Sequence, residues 1–307
     1  MDLNVYSYIL HAICLLLVAA VILLAVMLKK SKDKTRAILN SDDAYGAYNN
    51  DKLMLEEIEH ALKNDEFKMY LQFIVDSKTK RIASAEALSR WEKPDGEVIF
   101  PVKYISIMEK AGIITKLDYY MFEKVCKKLS EWKDTSFVDF SLSCNFTRNT
   151  ISEEDFVEKI KDITDRYSFD RNKLIIEITE DSIEKNLDVA IKNIFRVKEL
   201  GFGIALDDIG CGYTSLVNLC EYPIDIVKVD RKILLKSVGE RGKKLFYGIV
   251  SLAHYLNLKV VSEGVETEEQ NDFVRESDCD FIQGWYYAKG LSEDSAEEFA
   301  KEYMSKF

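Results

Sequence analysis

The chain has 307 residues, with 53 acidic against 42 basic side chains and a formal net charge of −11. That balance argues against a nonspecific nucleic-acid binder and gives no expectation of DNA as a partner, though it leaves room for an anionic substrate held through cations. Six cysteines form no CxxC pair and there are only three histidines, so a zinc site is not expected and the body reads as a reduced, cytoplasmic domain.

In chain order, Ile9 to Leu28 (ILHAICLLLVAAVILLAVML) is apolar apart from His11. Twenty residues of helix rise about 30 Å, the thickness of a bilayer's hydrocarbon core. A cleaved signal would carry a basic region before the run and a small-residue cleavage site after it, whereas here Asp2 precedes it and KKSKDKTR follows. The expectation is one transmembrane anchor over 1–28 in the inner or plasma membrane, single-pass. The basic residues after it place the body in the cytoplasm and give the segment the membrane surface as a partner. Residues 29–50 read as a basic juxtamembrane segment and polar linker.

From residue 51 to 307, apolar runs alternate with amphipathic stretches. Strands are expected over 68–75, 82–88, 138–145, 173–178, 202–206, 224–229, 258–262 and 280–283. Helices are expected over 104–111, 116–132, 153–167, 183–200, 233–256, 268–276 and 294–304. A shorter helical stretch near 53–62 would put His60 on a solvated face. Eight strands with intervening helices in one domain fit a closed (β/α)8 barrel better than an open doubly wound sheet. Only a turn-like VDSKTKR separates the first two strands, too short for a parallel crossover, so the first strand is expected to run antiparallel. ELGFGIAL follows a helix and precedes a strand, the reverse of the order a dinucleotide-binding loop needs, and no GxSxG elbow is present.

The strand ends carry the chemistry. Glu86 closes the second strand, Asn145 the third, Glu177 the fourth and Asp207–Asp208 the fifth. Lys228 and Asp230 close the sixth, Glu263 with Glu266 follows the seventh, and Gln283 ends the eighth. Any one of these could be an ordinary turn or cap residue. Their repetition at the same end of successive strands points to the functional rim of a barrel. So many carboxylates on one rim repel one another or take up protons unless cations lie between them. Oxygen and amide donors without His or Cys select magnesium or manganese. Lys228, flanked by Ile226, Val227 and Val229, is either an acid's partner or a positive charge aimed at a water or a phosphoryl oxygen. Arg90, just past the second strand, is either a surface ion pair or a bidentate phosphate ligand.

These residues sit in AEALSRW, LSCNFT, LIIEITED, IALDDIGCGYTSL, PIDIVKVDR, VVSEGVETEEQ and CDFIQGWYYAKGL, and together with LQFIVD they resemble the EAL-domain family of cyclic di-GMP phosphodiesterases. The resemblance runs from about residue 50 to the end. It implies a TIM-like barrel with an antiparallel first strand that opens cyclic di-GMP to linear pGpG with two Mg2+ or Mn2+ ions, and a homodimer formed through the barrel. It implies Glu86, Asn145, Glu177 and Asp207 as ligands of one metal, with Asp207, Asp208 and Glu263 at the second. Lys228 would act on the catalytic water and Gln283 would contact it. Asp230 and Glu266 match nearby acids, Gln72 and Arg90 the substrate side, and Glu180 the glutamate that steadies the loop after the Asp pair. Four positions depart from the family pattern: Phe73 stands for Pro, Ser89 for Leu, Ile209 for Phe and Cys211 for Thr. The expected function is a membrane-anchored, metal-dependent phosphodiesterase, the alternative a membrane-tethered receptor that binds cyclic di-GMP without cutting it.

Overall fold

A computed structural model describes residues 52–179, 187–209 and 218–306. The chain divides into two units, Met1–Glu57 and Ile58–Phe307; of the first only residues 52–57, which are helical, are described.

Among the described residues ten strands form the second unit's sheet: β1 Phe67–Asp76, β2 Ile82–Glu92, β3 Val98–Ile99, β4 Ser141–Phe146, β5 Leu174–Thr179, β6 Gly203–Ile209, β7 Ile226–Val229, β8 Lys259–Ser262, β9 Phe281–Gln283 and β10 Leu291–Ser292. Parallel pairing runs from β2 through β4, β5, β6, β7 and β8 to β9. β1 closes the ring, antiparallel to both β2 and β9. The result is a closed eight-stranded barrel with the antiparallel first strand the short connection predicts. The turn after β1 is tied by Asp76, whose Oδ1 accepts from the backbone N–H groups of Lys78 and Thr79, leaving Lys80 at a φ of 60° to complete the reversal.

Side-chain alternation sorts the strands into two faces. On β4, Leu142, Cys144 and Phe146 are buried outward, and Phe146 packs on Phe122 of the helix Ile114–Trp132 with ring centroids 5.5 Å apart. Each fully buried aromatic or leucine contributes about 1.5–3 kcal/mol. The opposite parity on β4, Ser143 and Asn145, turns toward the barrel axis. β3 and β10, two residues each, extend β2 and β1 beyond the ring and are too short to register as a periodic pattern. The helix expected over 233–256 is two helices, Arg231–Lys236 and Glu240–Tyr255, broken where Gly239 takes an extended conformation ahead of the second.

The expected span within 1–28 and the segment 29–50 lie outside the described residues. Among the described residues no helix is long and apolar enough to cross a membrane. The longest, Ile114–Trp132, is amphipathic and carries Lys116, Asp118, Glu123, Lys124, Lys127 and Lys128 along its length. The expected fold class is therefore corrected to the barrel alone. An anchored protein, the membrane as a partner and a single-pass membrane location are not supported by the described structure.

Candidate active site

Parallel registry brings the C-terminal strand ends to one mouth of the barrel, where inward-facing positions of neighbouring strands are forced together. Lys228, 1% exposed, stands at the centre. Its Nζ lies 2.8 Å from Glu177 Oε2, 3.0 Å from Glu86 Oε2, 2.7 Å from Glu263 Oε1 and 3.7 Å from Asp207 Oδ1. Four strands, β2, β5, β6 and β7, and the end of β8 thus meet at one ammonium. Asn145 Nδ2 donates to Glu86 Oε1 at 2.7 Å, and Gln283 Nε2 to Glu86 Oε2 at 2.7 Å. Gln72, paired with Glu86 across the β1–β2 ladder, accepts from Gln283 Nε2 at 3.3 Å.

One cation cannot neutralise four carboxylates, two of them buried and two half-buried. Burial pushes Glu177 well above the ordinary carboxylate range, reinforced by Glu86, and raises Asp207 too, against the pull of Lys228. Glu263 is pushed up by burial to about 8. Glu86 also meets a burial penalty, but Lys228, Gln283 and Asn145 outweigh it and hold its pKa down. For Lys228 burial alone would favour the neutral amine, yet the surrounding Glu177, Glu263, Glu86 and Asp207 keep it well above its ordinary value. The cluster as a whole therefore carries protons that a cation could replace.

A carboxylate oxygen from each of Asp207, Asp208 and Glu263 falls within 4.8 Å of the others. Asp208 reaches this position with a φ of 60°, a left-handed conformation that aspartate tolerates better than most residues. Its N–H donates to Asp207 Oδ1 at 2.8 Å, and burial together with Asp230 raises its pKa. This all-oxygen donor set, with the amide of Asn145 beside it, suits a hard divalent cation. A cavity of about 370 Å³ opens over the group, lined by Gln72, Glu86, Asp207, Glu263 and Gln283 and rimmed by Arg231, Glu266 and Trp285. Gln283 Oε1 is buried there with no partner among the described residues, an acceptor left for whatever binds. A larger cavity of about 620 Å³ is lined by Asn145 and reaches Leu88, Asp118 and Thr179.

Nine of the residues singled out in the sequence, Gln72, Glu86, Asn145, Glu177, Asp207, Asp208, Lys228, Glu263 and Gln283, converge on this mouth. Arg90 does not reach the carboxylates: its guanidinium lies over the Phe100 and Tyr70 rings, 4.8 and 5.7 Å from their centroids, and donates to the Ser89 carbonyl. Asp230 caps the helix Arg231–Lys236 through the Lys232 N–H. Glu266 accepts from Arg231 Nη2 at 2.8 Å. Ile209 is buried at the end of β6, beside Val229. Glu180 and Cys211 lie outside the described residues. Sequence reasoning missed Arg231, Gly264 and Trp285. Arg231 is preceded by the rim aspartate in KVDR, which was a usable signal. Gly264 (φ 67°) carries Arg231 directly against its backbone, where a Cβ would meet Arg231 Cγ at 2.5 Å.

Comparison with known proteins follows the same lines. A family model described as "EAL domain" matches residues 55–290. The chain is 30% identical over 251 residues to the cyclic di-GMP phosphodiesterase NbdA of Pseudomonas aeruginosa, covering 81% of this chain and 32% of that protein. It is 27% identical to the cyclic di-GMP phosphodiesterase PdeR of Escherichia coli, covering 81% of this chain and 38% of PdeR. The chain thus spans about a third of the length of the curated relatives it matches. Among solved structures, the PaMucR phosphodiesterase in complex with c-di-GMP superposes with a TM-score of 0.76 at 27% identity, covering 80% of this chain and 99% of that one. The EAL domain protein from Listeria monocytogenes EGD-e gives 0.71 at 29% identity, covering 79% and 96%.

Proposed function

The chain belongs to the EAL domain family, and from that membership we propose that it is a metal-dependent phosphodiesterase that hydrolyses cyclic di-GMP to linear pGpG. The observation that carries the reading is the ring of Glu86, Glu177, Asp207 and Glu263 around Lys228, adjoined by Asp208. Such a ring is poorly neutralised by one lysine and fits divalent cations in a protein whose relatives are named for this activity.

Glu86, Asn145, Glu177 and Asp207 would hold one Mg2+ or Mn2+ ion, and Asp207, Asp208 and Glu263 a second. When bound, the ions supply Lewis acidity and positive charge for displacement at phosphorus. The chain's own residues do the rest. Hydrolysis adds one water across a P–O3′ bond: a new P–O bond forms from the water oxygen, the bond to the ribose oxygen breaks, and a proton from the water ends on that oxygen. Lys228 keeps a positive charge in a water-poor site where charge grows on the phosphoryl oxygens. Gln283, held between Gln72 and Glu86, presents its free Oε1 to orient a water proton. The cavity over the carboxylates gives the reacting phosphate room beside Glu86, Asp207 and Glu263, and the exposed Trp285 ring offers a face on which a purine can stack.

Incubating the full chain with cyclic di-GMP and Mg2+ or Mn2+, with the nucleotides separated by chromatography, tests the proposal. Appearance of pGpG supports it. Tight binding of the dinucleotide with no product at either metal would replace it with the alternative, a receptor that binds without cutting.

A further inference from the structure

A third cavity, about 390 Å³, occupies the interior of the barrel on the opposite side of the carboxylate layer and opens at the N-terminal ends of the strands. Barrels of this kind are normally filled there by layers of bulky branched side chains. Here the inward positions include Ser84, Ser143, Gly203 and Ala205, which are too small to meet across the axis. Gly203 keeps one wall back, since a Cβ there would stand 3.1 Å from Ile175 Cγ1. Apolar wall is added by Ile74, Ile175, Ile226, Val261 and Phe281, polar groups at the open end by Asn172, Lys198, Asp225 and Lys259, and the ceiling is Glu177 and Lys228.

A second, independent observation points to a ligand. Ser143 is 2% exposed and its Oγ has no hydrogen-bond partner among the described residues, although it lines the cavity and shares its face of β4 with Asn145. A buried hydroxyl left unpaired costs about 1–3 kcal/mol, and buried polar groups ordinarily find a partner. The charged side chains around the cavity are already paired: Glu177 with Lys228, Lys198 with Asp225 at 2.6 Å, and Lys259 with Asp280 at 2.7 Å. An anionic ligand would find no free cation among them.

We propose that the barrel interior beneath the carboxylate layer is a binding site for a small neutral molecule with an apolar body and one hydroxyl group, which hydrogen-bonds Ser143. Its size, and the aliphatic and aromatic wall that Ile74, Ile175, Ile226, Val261 and Phe281 build around Ser143, are those of a ligand pocket. Because Glu177 and Lys228 form its ceiling, occupancy bears on the site above without overlapping the dinucleotide. The site is thus a place for control of turnover by a molecule that does not compete with substrate. The coupling rests on the proposed phosphodiesterase activity; the binding itself does not.

Phenol is the probe and toluene, the same ring without the hydroxyl, its control. Calorimetry on the full chain should show one saturable phenol site that is retained when a nonhydrolysable cyclic di-GMP analogue saturates the protein. Ser143→Ala should weaken phenol about five- to tenfold, the equivalent of one lost hydrogen bond, and leave toluene unchanged. Ala205→Leu, which fills the cavity, should abolish both. If that variant fails to fold, Ser143→Ala, which only removes an oxygen, still decides the matter. With hydrolysis established, phenol should lower kcat and leave KM unchanged. Absence of saturable phenol binding, as expected if water alone fills the cavity, overturns the site. So does displacement of phenol by the analogue, or equal phenol affinity in Ser143→Ala.

Discussion

Lys228 Nζ and Glu177 Oε2 face each other at 2.8 Å with side-chain exposures of 1% and 2%, so the lysine occupies oxygens that a cation would also claim. Lys228→Met should therefore separate two roles. Turnover is expected to fall about 10²–10³-fold through loss of charge stabilisation. Magnesium affinity should rise, because the competing ammonium is gone. Isothermal titration with Mg2+ beside steady-state kinetics measures both; weaker metal binding would show instead that Lys228 holds the ligands in place.

Glu263 carries its proton to a pKa of about 8 because it is buried, with Lys228 opposing the shift. The raised value fixes the sign of two effects. The carboxyl's contribution to folding is complete below its ordinary value of 4.5 and is lost as pH rises through about 8, so the metal-free protein should lose thermal stability across that window. A cation that takes this carboxylate must expel the proton. Magnesium affinity is accordingly expected to climb from pH 6 to pH 8, with on the order of one proton released per protein at pH 7. Titrations in buffers of different ionisation enthalpy count that proton, and metal binding without proton release would remove Glu263 from the ligand set.

The sequence reveals the rim because each acid follows an apolar run, and strand ends are legible from such runs alone. The same local logic places β5, β7, β8 and β9 within about two residues of the strand ends found. It fails where position depends on distant partners. Arg90 is turned away from the carboxylates by the Tyr70 and Phe100 rings, and no pattern around residue 90 announces that. Gly264 is needed because Arg231, the first residue of the helix after β7, lies on its backbone, a contact between residues far apart in the chain. The start of β4 shifts from Val138 to Ser141 because residues 138–140 close a turn, with the Phe140 N–H donating to the Phe137 carbonyl. An apolar residue in a turn and one in a strand look alike in sequence.

Asp118 gives a stability test away from the carboxylate ring. Burial raises its pKa to about 6, partly offset by hydrogen bonds from Thr147 and Thr150. The folded value lies above the ordinary 3.8, so its contribution is fully present below that pH and is lost as pH passes 6. Asp118→Asn removes the buried charge and keeps one acceptor oxygen for the threonines. It is expected to stabilise the protein by about 1–3 kcal/mol at pH 8 and to lose that advantage near pH 4. Denaturant unfolding at the two pH values checks it; a variant destabilised equally at both would mean that the bonds to Thr147 and Thr150 outweigh the buried charge.

Gly264 and Arg231 should couple energetically. At a φ of 67° any Cβ on residue 264 is strained, and it would also meet Arg231 Cβ, Cγ and Cδ at 2.5–2.7 Å. Gly264→Ala is expected to destabilise by about 1–3 kcal/mol from backbone strain, with a further loss from the clash. Magnesium affinity should drop because Glu263, the adjacent residue, is displaced. Arg231→Gly removes the Cβ, Cγ and Cδ that clash but not the strain, so the double variant should recover on the order of 1 kcal/mol over the sum of the single changes and regain part of the lost metal affinity. Thermal unfolding of the two single variants and the double variant, each with and without Mg2+, gives the interaction energy. Additive losses would mean that the backbone conformation alone, and not the packing of Arg231, requires glycine at this edge of the site.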